Sequence, residues 1–344
     1  MQISYTADYT PPWWLRSSEV MTVYAALQAA KTWEKYTQEP EPIYKEHTFR
    51  GHGGIPIHGI VAIPPVAKGT IIATYGITGN LDNQWFLRLL GRKAFARGYA
   101  VVLFDWRAHG KTAQLSPVLT SDGIHEGFDY ISIAEQAIEL GCPTPIFLAG
   151  YSLGGQLALW GNYRAMDIPE IAGAAVICPS IESERSLQYL VRHPVGKYFE
   201  RAITKELKKL ANKLLEYHPQ EFDRMAVDRA NSIWGFDEHL VIPRLGFATV
   251  NDYYRATSPI YFLDRLGKRT LIIYAADDPL FLPDLVPELV EICSKNPSLE
   301  LILTRYGGHV GYISDDRCQS LWQDRDPWWA WNRVLEWFDR TING

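Results

Sequence analysis

IFLAGYSLGGQLALW, residues 146–160, is the stretch whose reading decides the fold. Its first half is apolar and β-branched or aromatic, as a buried strand requires, and its second half carries helical spacing. Between them stands Gly150-Tyr151-Ser152-Leu153-Gly154-Gly155, a G-x-S-x-G pattern at a strand-to-helix turn. Small residues two positions either side of the serine permit a sharp backbone bend there, which pushes the hydroxyl clear of the sheet. The other reading is a glycine-rich turn with an idle serine. The flanking strand and helix favour a nucleophile elbow.

Working outward, the same alternation recurs. TIIATYG (70–76), YAVVLFDWR (99–107) and IAGAAVICPS (171–180) read as buried strands. WFLRLLGRKAFARG (85–98) and GFDYISIAEQAIELG (127–141) read as helices between them. HTFRGHGG and IPIHGIVAIPP (47–65) have period two and predict a hairpin of edge strands. The pattern resumes with RTLIIYAADD (269–278), the helical LVPELVEICSK, LELILTRYGG (299–308) and a last helix in WWAWNRVLEWFDR. Strands alternating with helices predict a mostly parallel sheet covered on both faces. Residues 18–36 predict an N-terminal helix, with Val20, Val23, Tyr24, Leu27 and Ala30 at helical spacing and Ser17 or Ser18 as its cap.

Residues 180–258 break the alternation. FERAITKELKKLANKLLEYHP (199–219) puts Ile203, Leu207, Leu210 and Leu214 along one face and its lysines largely elsewhere. That basic face reads most simply as solvated, with peripheral contact to an anionic membrane as the alternative. The expected organisation is one domain: a helical extension at about 10–42, a core at about 43–179 and 259–344, and a mainly helical cap inserted at about 180–258.

Composition bounds the function classes. The chain has 344 residues, 47% hydrophobic and 21% charged, which excludes a mainly disordered chain. A net charge of -5 argues against a nucleic-acid partner. Cys142, Cys178, Cys293 and Cys318 are scattered, without metal spacing or the density of a disulfide scaffold, so a reducing, cytoplasmic setting is expected. The first residues show no secretory leader, and no apolar run is long enough to span a membrane. Twelve Trp and nineteen Tyr are more than a core alone requires. They read as aromatic packing of a peripheral layer, with a pocket rim or interfacial surface as the alternative.

A serine hydroxyl is a weak nucleophile, so the elbow demands a base and an orienting acid, which should follow it in the order acid, histidine. His309 lies in a glycine-flanked loop directly after a predicted core strand, a context no other histidine here shares. Asp277 and Asp278 close the strand before it. Asp278 is favoured as the acid because it lies further into the loop, while Asp277 can cap the local turn. The developing oxyanion needs two donors. The Leu153 N–H follows the nucleophile, and the Ile77 N–H comes from the Tyr75-Gly76-Ile77-Thr78-Gly79 loop after an earlier strand. This chemistry requires no cofactor and no metal. Asp105-Trp106-Arg107-Ala108-His109-Gly110-Lys111-Thr112 lacks the first glycine of a phosphate loop, and its Asp, Arg and His read as structural polar contacts. His47, His52 and His58 share no metal spacing, and His125 beside Glu126 and Asp129 is an equally weak signal.

GYSLGG, GGHVGY (307–312) and AADDPLFLP (275–283) together resemble the YheT-type α/β-hydrolases, related to the animal abhydrolase-domain proteins one to three and to yeast medium-chain ester synthase/esterases. PPWWL (11–15), FDEHLVIPRLGFATVNDYYRATSP (236–259) and WWAWNRVLEWF (328–338) extend the resemblance over nearly the whole chain. It implies the α/β-hydrolase fold, a triad of Ser152, Asp278 (or Asp277) and His309, and a small-molecule acyl ester as substrate. Two departures stand out. The usual His-Gly-Leu-x-Gly of the oxyanion loop is Tyr75-Gly76-Ile77-Thr78-Gly79, and the usual His-x-Gln-Thr is Glu19-Val20-Met21-Thr22. Three alternatives remain beside hydrolysis: acyl transfer to an alcohol, peptidase action, and a catalytically inactive binding or scaffold protein. Oligomeric state is not readable.

Overall fold

Eight strands form one sheet in the order β1-β2-β4-β3-β5-β6-β7-β8 in a computed structural model that describes Tyr5 and residues 8–343. Residues 1–4, 6 and 7, where part of the leader reading falls, lie outside the described residues. β1 (Lys45–Arg50) and β2 (Pro56–Ala62) pair antiparallel, and β2 pairs antiparallel with β4 (Ala100–Phe104). From there β3 (Thr70–Thr74), β5 (Ile146–Tyr151), β6 (Ile171–Ile177), β7 (Arg269–Ala275) and β8 (Leu299–Thr304) run parallel. Every residue of β3, β4 and β5 is buried, which explains why these strands read as continuous apolar runs rather than alternating ones. The fold is that of an α/β-hydrolase, with helices on a mostly parallel sheet.

Two expectations need correction. Of the hairpin's two strands β1 alone lies at an edge of the sheet, because β2 is paired on both sides. The N-terminal helix also turns a different face inward. Ser17 caps Ser18–Tyr24, and the path continues through a π turn at Ala25–Ala29. Val20 and Leu27 are 46% and 60% exposed, while Met21, Ala25, Ala29 and Trp33 are buried. Small alanines let the helix approach closely, and Met21 fits against Gly311, where an added Cβ would lie 2.4 Å from its Cγ.

The aromatic residues divide. Trp328, Trp329 and Trp331 are buried in the main core, whereas Trp13 is 80% exposed. Between β6 and β7 the chain is helical, including Ser183–Arg192, Pro194–Tyr217, Arg224–Arg229 and Val250–Thr257. These helices share an apolar cluster built on Leu207, Leu214, Phe236, Val241 and Tyr253, which also takes in Ala108, Ala113 and Leu119 from the segment after β4. That shared cluster seats the helical layer at the carboxyl end of the sheet.

Candidate active site

Ser152 sits between β5 and the Leu153–Arg164 helix with φ 54° and ψ -125°, a backbone region that a non-glycine residue occupies only when its surroundings impose it. They do so here. A Cβ on Gly150 would lie 2.0 Å from the Gly154 carbonyl oxygen, and one on Gly154 would lie 2.3 Å from that of Tyr75. The two glycines allow strand, turn and helix to close on one another, and the bend presents Oγ.

The structure brings His309 and Asp278 to that hydroxyl. Ser152 Oγ and His309 Nε2 are 2.8 Å apart, and His309 Nδ1 and Asp278 Oδ2 are also 2.8 Å apart. A carboxylate only accepts, so Nδ1 carries the proton and Nε2 is left to accept from the serine. Asp278 is 6% exposed and also receives the Leu280 N–H on its other oxygen. Asp277 points elsewhere and accepts the Gly308 N–H at 2.9 Å. Burial, together with the charge of Asp278, pushes the Asp277 carboxyl up to about 7.

The His309 loop has a second support that the sequence reading missed. Thr22 Oγ1 accepts the His309 N–H at 2.9 Å and donates to the Ser18 carbonyl at 2.7 Å. The N-terminal helix therefore holds the backbone of the histidine. Gly308, at φ 54°, permits that approach, since a Cβ there would lie 2.7 Å from the Ser18 carbonyl oxygen. The signal was Thr22 itself, the last residue of the segment that otherwise departs from the family pattern.

Gly76 faces the serine, where an added Cβ would lie 3.1 Å from the Ser152 Cβ. Ile77 and Leu153 line the same cavity as Ser152, and among the described residues neither N–H donates to another group of the chain. The following residue, Thr78, adopts φ 64° and donates its N–H to His109 Nε2 at 3.1 Å. His109 Nδ1 lies 2.9 Å from the Arg107 carbonyl, so its proton is on Nδ1 and Nε2 is the acceptor. Burial pushes this imidazole down to about 4, which keeps it neutral, and it stacks on Trp106 at 3.6 Å. Tyr75 donates to Asp105, which also accepts the Leu81 and Lys111 N–H groups. Asp105 and His109 thus brace the thin loop from β4, while Arg107 pairs with Asp129 further away. Where the resembling pattern has a histidine, Tyr75 reaches a buried carboxylate.

A cavity of about 130 Å³ opens from Ser152. Leu187, Leu190, Ile203, Leu207, Ile233 and Phe236 give it an apolar wall from the helices between β6 and β7. Among the described residues, one trio of ligand-type side chains converges, namely Cys178, Asp278 and His309, with donor atoms within 4.8 Å of one another. Its carboxylate and imidazole are already bonded to each other, and burial pushes the Cys178 thiol well up, which disfavours the thiolate a metal would need.

Residues 77–319 match a family model described as the alpha/beta hydrolase family. The Synechocystis protein named "Putative esterase slr0264" is 49% identical, with 96% of this chain and 94% of that protein covered. The Escherichia coli protein named "Putative esterase YheT" is 27% identical over 76% of each chain. Mouse phospholipase ABHD3 is 28% identical over 72% of this chain and 59% of its own. Among solved structures, the Pyrococcus furiosus esterase Pf2001 superposes with a TM-score of 0.57 at 19% identity, covering 87% of this chain and 91% of that one.

Proposed function

Because this chain belongs to the alpha/beta hydrolase family, we propose that it is a serine hydrolase of carboxylic esters, working through Ser152, His309 and Asp278. The observation that carries this reading is the unbroken hydrogen-bonded line from Asp278 through His309 to Ser152, ending at an apolar cavity. His309 Nε2 takes the serine proton as Oγ attacks the ester carbonyl. The Ile77 and Leu153 N–H groups receive the oxyanion, held in place before the charge develops. The protonated imidazole then gives its proton to the departing alcohol, and water repeats the sequence to release the acid.

The cavity argues for acyl chains of short to medium length. An apolar cavity of roughly 150 Å³ is known to hold a benzene-sized guest. At about 130 Å³ this one takes about half a dozen heavy atoms. The helical insertion at about 180–258 is in this reading a cap whose inner wall sets the limit. The test is fluorophosphonate labelling followed by a chain-length series on simple esters. Labelling at Ser152, with kcat/KM rising and then falling along the series, is the expected result. An unlabelled serine in folded protein, or no ester turnover at any length, would sink the proposal. Adding an alcohol to the same assay reads its competition with water for the acyl-enzyme.

A further inference from the structure

The wall of this cavity is not apolar throughout. Asp122, in the segment after β4, and Asp237, between β6 and β7, both line it and are each 7% exposed. One oxygen of each is engaged: Asp122 Oδ1 accepts from Thr120, and Asp237 Oδ2 accepts from the Tyr254 hydroxyl. Among the described residues, the other oxygen of Asp237 has no hydrogen bond within the chain. Ser186, from the Ser183–Arg192 helix, lines the same cavity and is 5% exposed, and its hydroxyl is buried without a partner. The buried Tyr253 hydroxyl faces the Asp122 carboxyl. None of these groups belongs to the chemistry at Ser152.

Polar groups buried without partners are costly, so a cluster drawn from core and cap alike needs an explanation. We propose that Asp122, Asp237 and Ser186 form a polar subsite that holds a hydroxyl group on the substrate, making the preferred ester a hydroxylated one. This rests on the ester-hydrolase reading and narrows it. A hydroxyl both donates and accepts, which suits a partly protonated pair of carboxyls. Burial and the charge of Glu126 push Asp122 up to about 7, and burial and the charge of Asp122 push Asp237 well above the ordinary carboxylate range, so the pair is only partly ionised at neutral pH. An ammonium group would lose far more hydration on entry than a hydroxyl does, and as a donor only it could not accept from a protonated carboxyl.

The experiment compares three esters of equal acyl length: unsubstituted, hydroxylated and ammonium-bearing. The hydroxyl and ammonium are moved one carbon at a time along the chain. At the best position the wild type is expected to prefer the hydroxylated ester by about tenfold or more in kcat/KM, because unpaired buried polar groups penalise an analogue lacking the hydroxyl. Asp237→Leu and Asp122→Leu are expected to erase or invert that ratio, and Asp237→Asn, which keeps the shape and a hydrogen-bonding end, to reduce it less. A cooperative melt and fluorophosphonate labelling of Ser152 certify that each variant is folded. A ratio near one at every position, a preference for the ammonium ester, or a ratio unchanged in folded leucine variants would overturn the subsite. Failure of the wild type to cleave any of the three would instead count against the ester-hydrolase reading itself.

Discussion

Ser152 holds an unfavourable backbone conformation, and two partners must then meet its hydroxyl from distant parts of the chain. Asp278 and Asp277 are adjacent carboxylates with different partners, an imidazole for one and a backbone N–H for the other. Asp278→Asn is expected to lower kcat by about 10⁴, because an amide facing Nδ1 admits the wrong tautomer. Asp277→Asn keeps an acceptor for Gly308 and is expected to stay within about tenfold of wild type. Steady-state rates on one good ester decide between them, and the reverse order would move the orienting role to Asp277. Ser152, His309 and the two candidate acids were legible because each stands at a strand end in a recognisable local pattern. Thr22 was not, because its contact with His309 spans 287 positions and its one mark was a threonine ending a segment that otherwise departs from the family pattern. Thr22→Val removes the acceptor without changing shape. Its expected signature is a 10- to 100-fold loss in kcat, of the order that a slight misplacement costs, with KM little changed and activity restored by Thr22→Ser. An equal rise in KM, or no rescue by serine, would mark Thr22 as merely structural.

At the scale of elements, strands were easier to read than helix faces. β3 through β7 are buried at nearly every position, so almost any apolar run of the right length declares itself. In residues 18–36 the bulky Val20 and Leu27 suggested the wrong face, because close packing here uses Ala25 and Ala29 and bulk is what the contact excludes. The short Asp316–Trp322 and Thr112–Leu115 helices gave no periodic signal at all. In the helical stretch between β6 and β7, the periodicity of residues 199–219 pointed to Leu207 and Leu214, which are buried. Ile203 is only partly buried and faces the cavity, so it suits a direct test. Ile203→Phe is expected to shorten the preferred acyl chain by one or two carbons. Each excluded CH₂ forfeits about 0.8 kcal/mol, a severalfold loss in kcat/KM per carbon. An unchanged length profile in a folded variant would remove this helix from the pocket.

At the scale of the whole molecule, the buried ionisable groups set a pH dependence. Asp122 and Asp277 are both pushed up to about 7, chiefly by burial, so the folded chain binds protons that the unfolded chain has released. Their contribution is fully present below the unfolded value of about 4 and is lost as pH rises through about 7. His109 acts in the opposite direction. With its folded value down at about 4, its contribution is present above the unfolded value of about 6.5 and is lost as pH falls through about 4. Between about pH 8 and pH 5.5 the two carboxyls gain more on acidification than the single imidazole gives up. The net stabilisation is of the order of 2–3 kcal/mol, or several degrees in Tm for a chain of this size. Melting curves across that interval should therefore climb as the buffer is made more acidic, contrary to the usual acid destabilisation by paired carboxylates. In Asp122→Asn the slope should flatten, because the side chain no longer titrates. A Tm that is level or falls on acidification in the wild type would show that these carboxyls are ionised at lower pH than their burial implies.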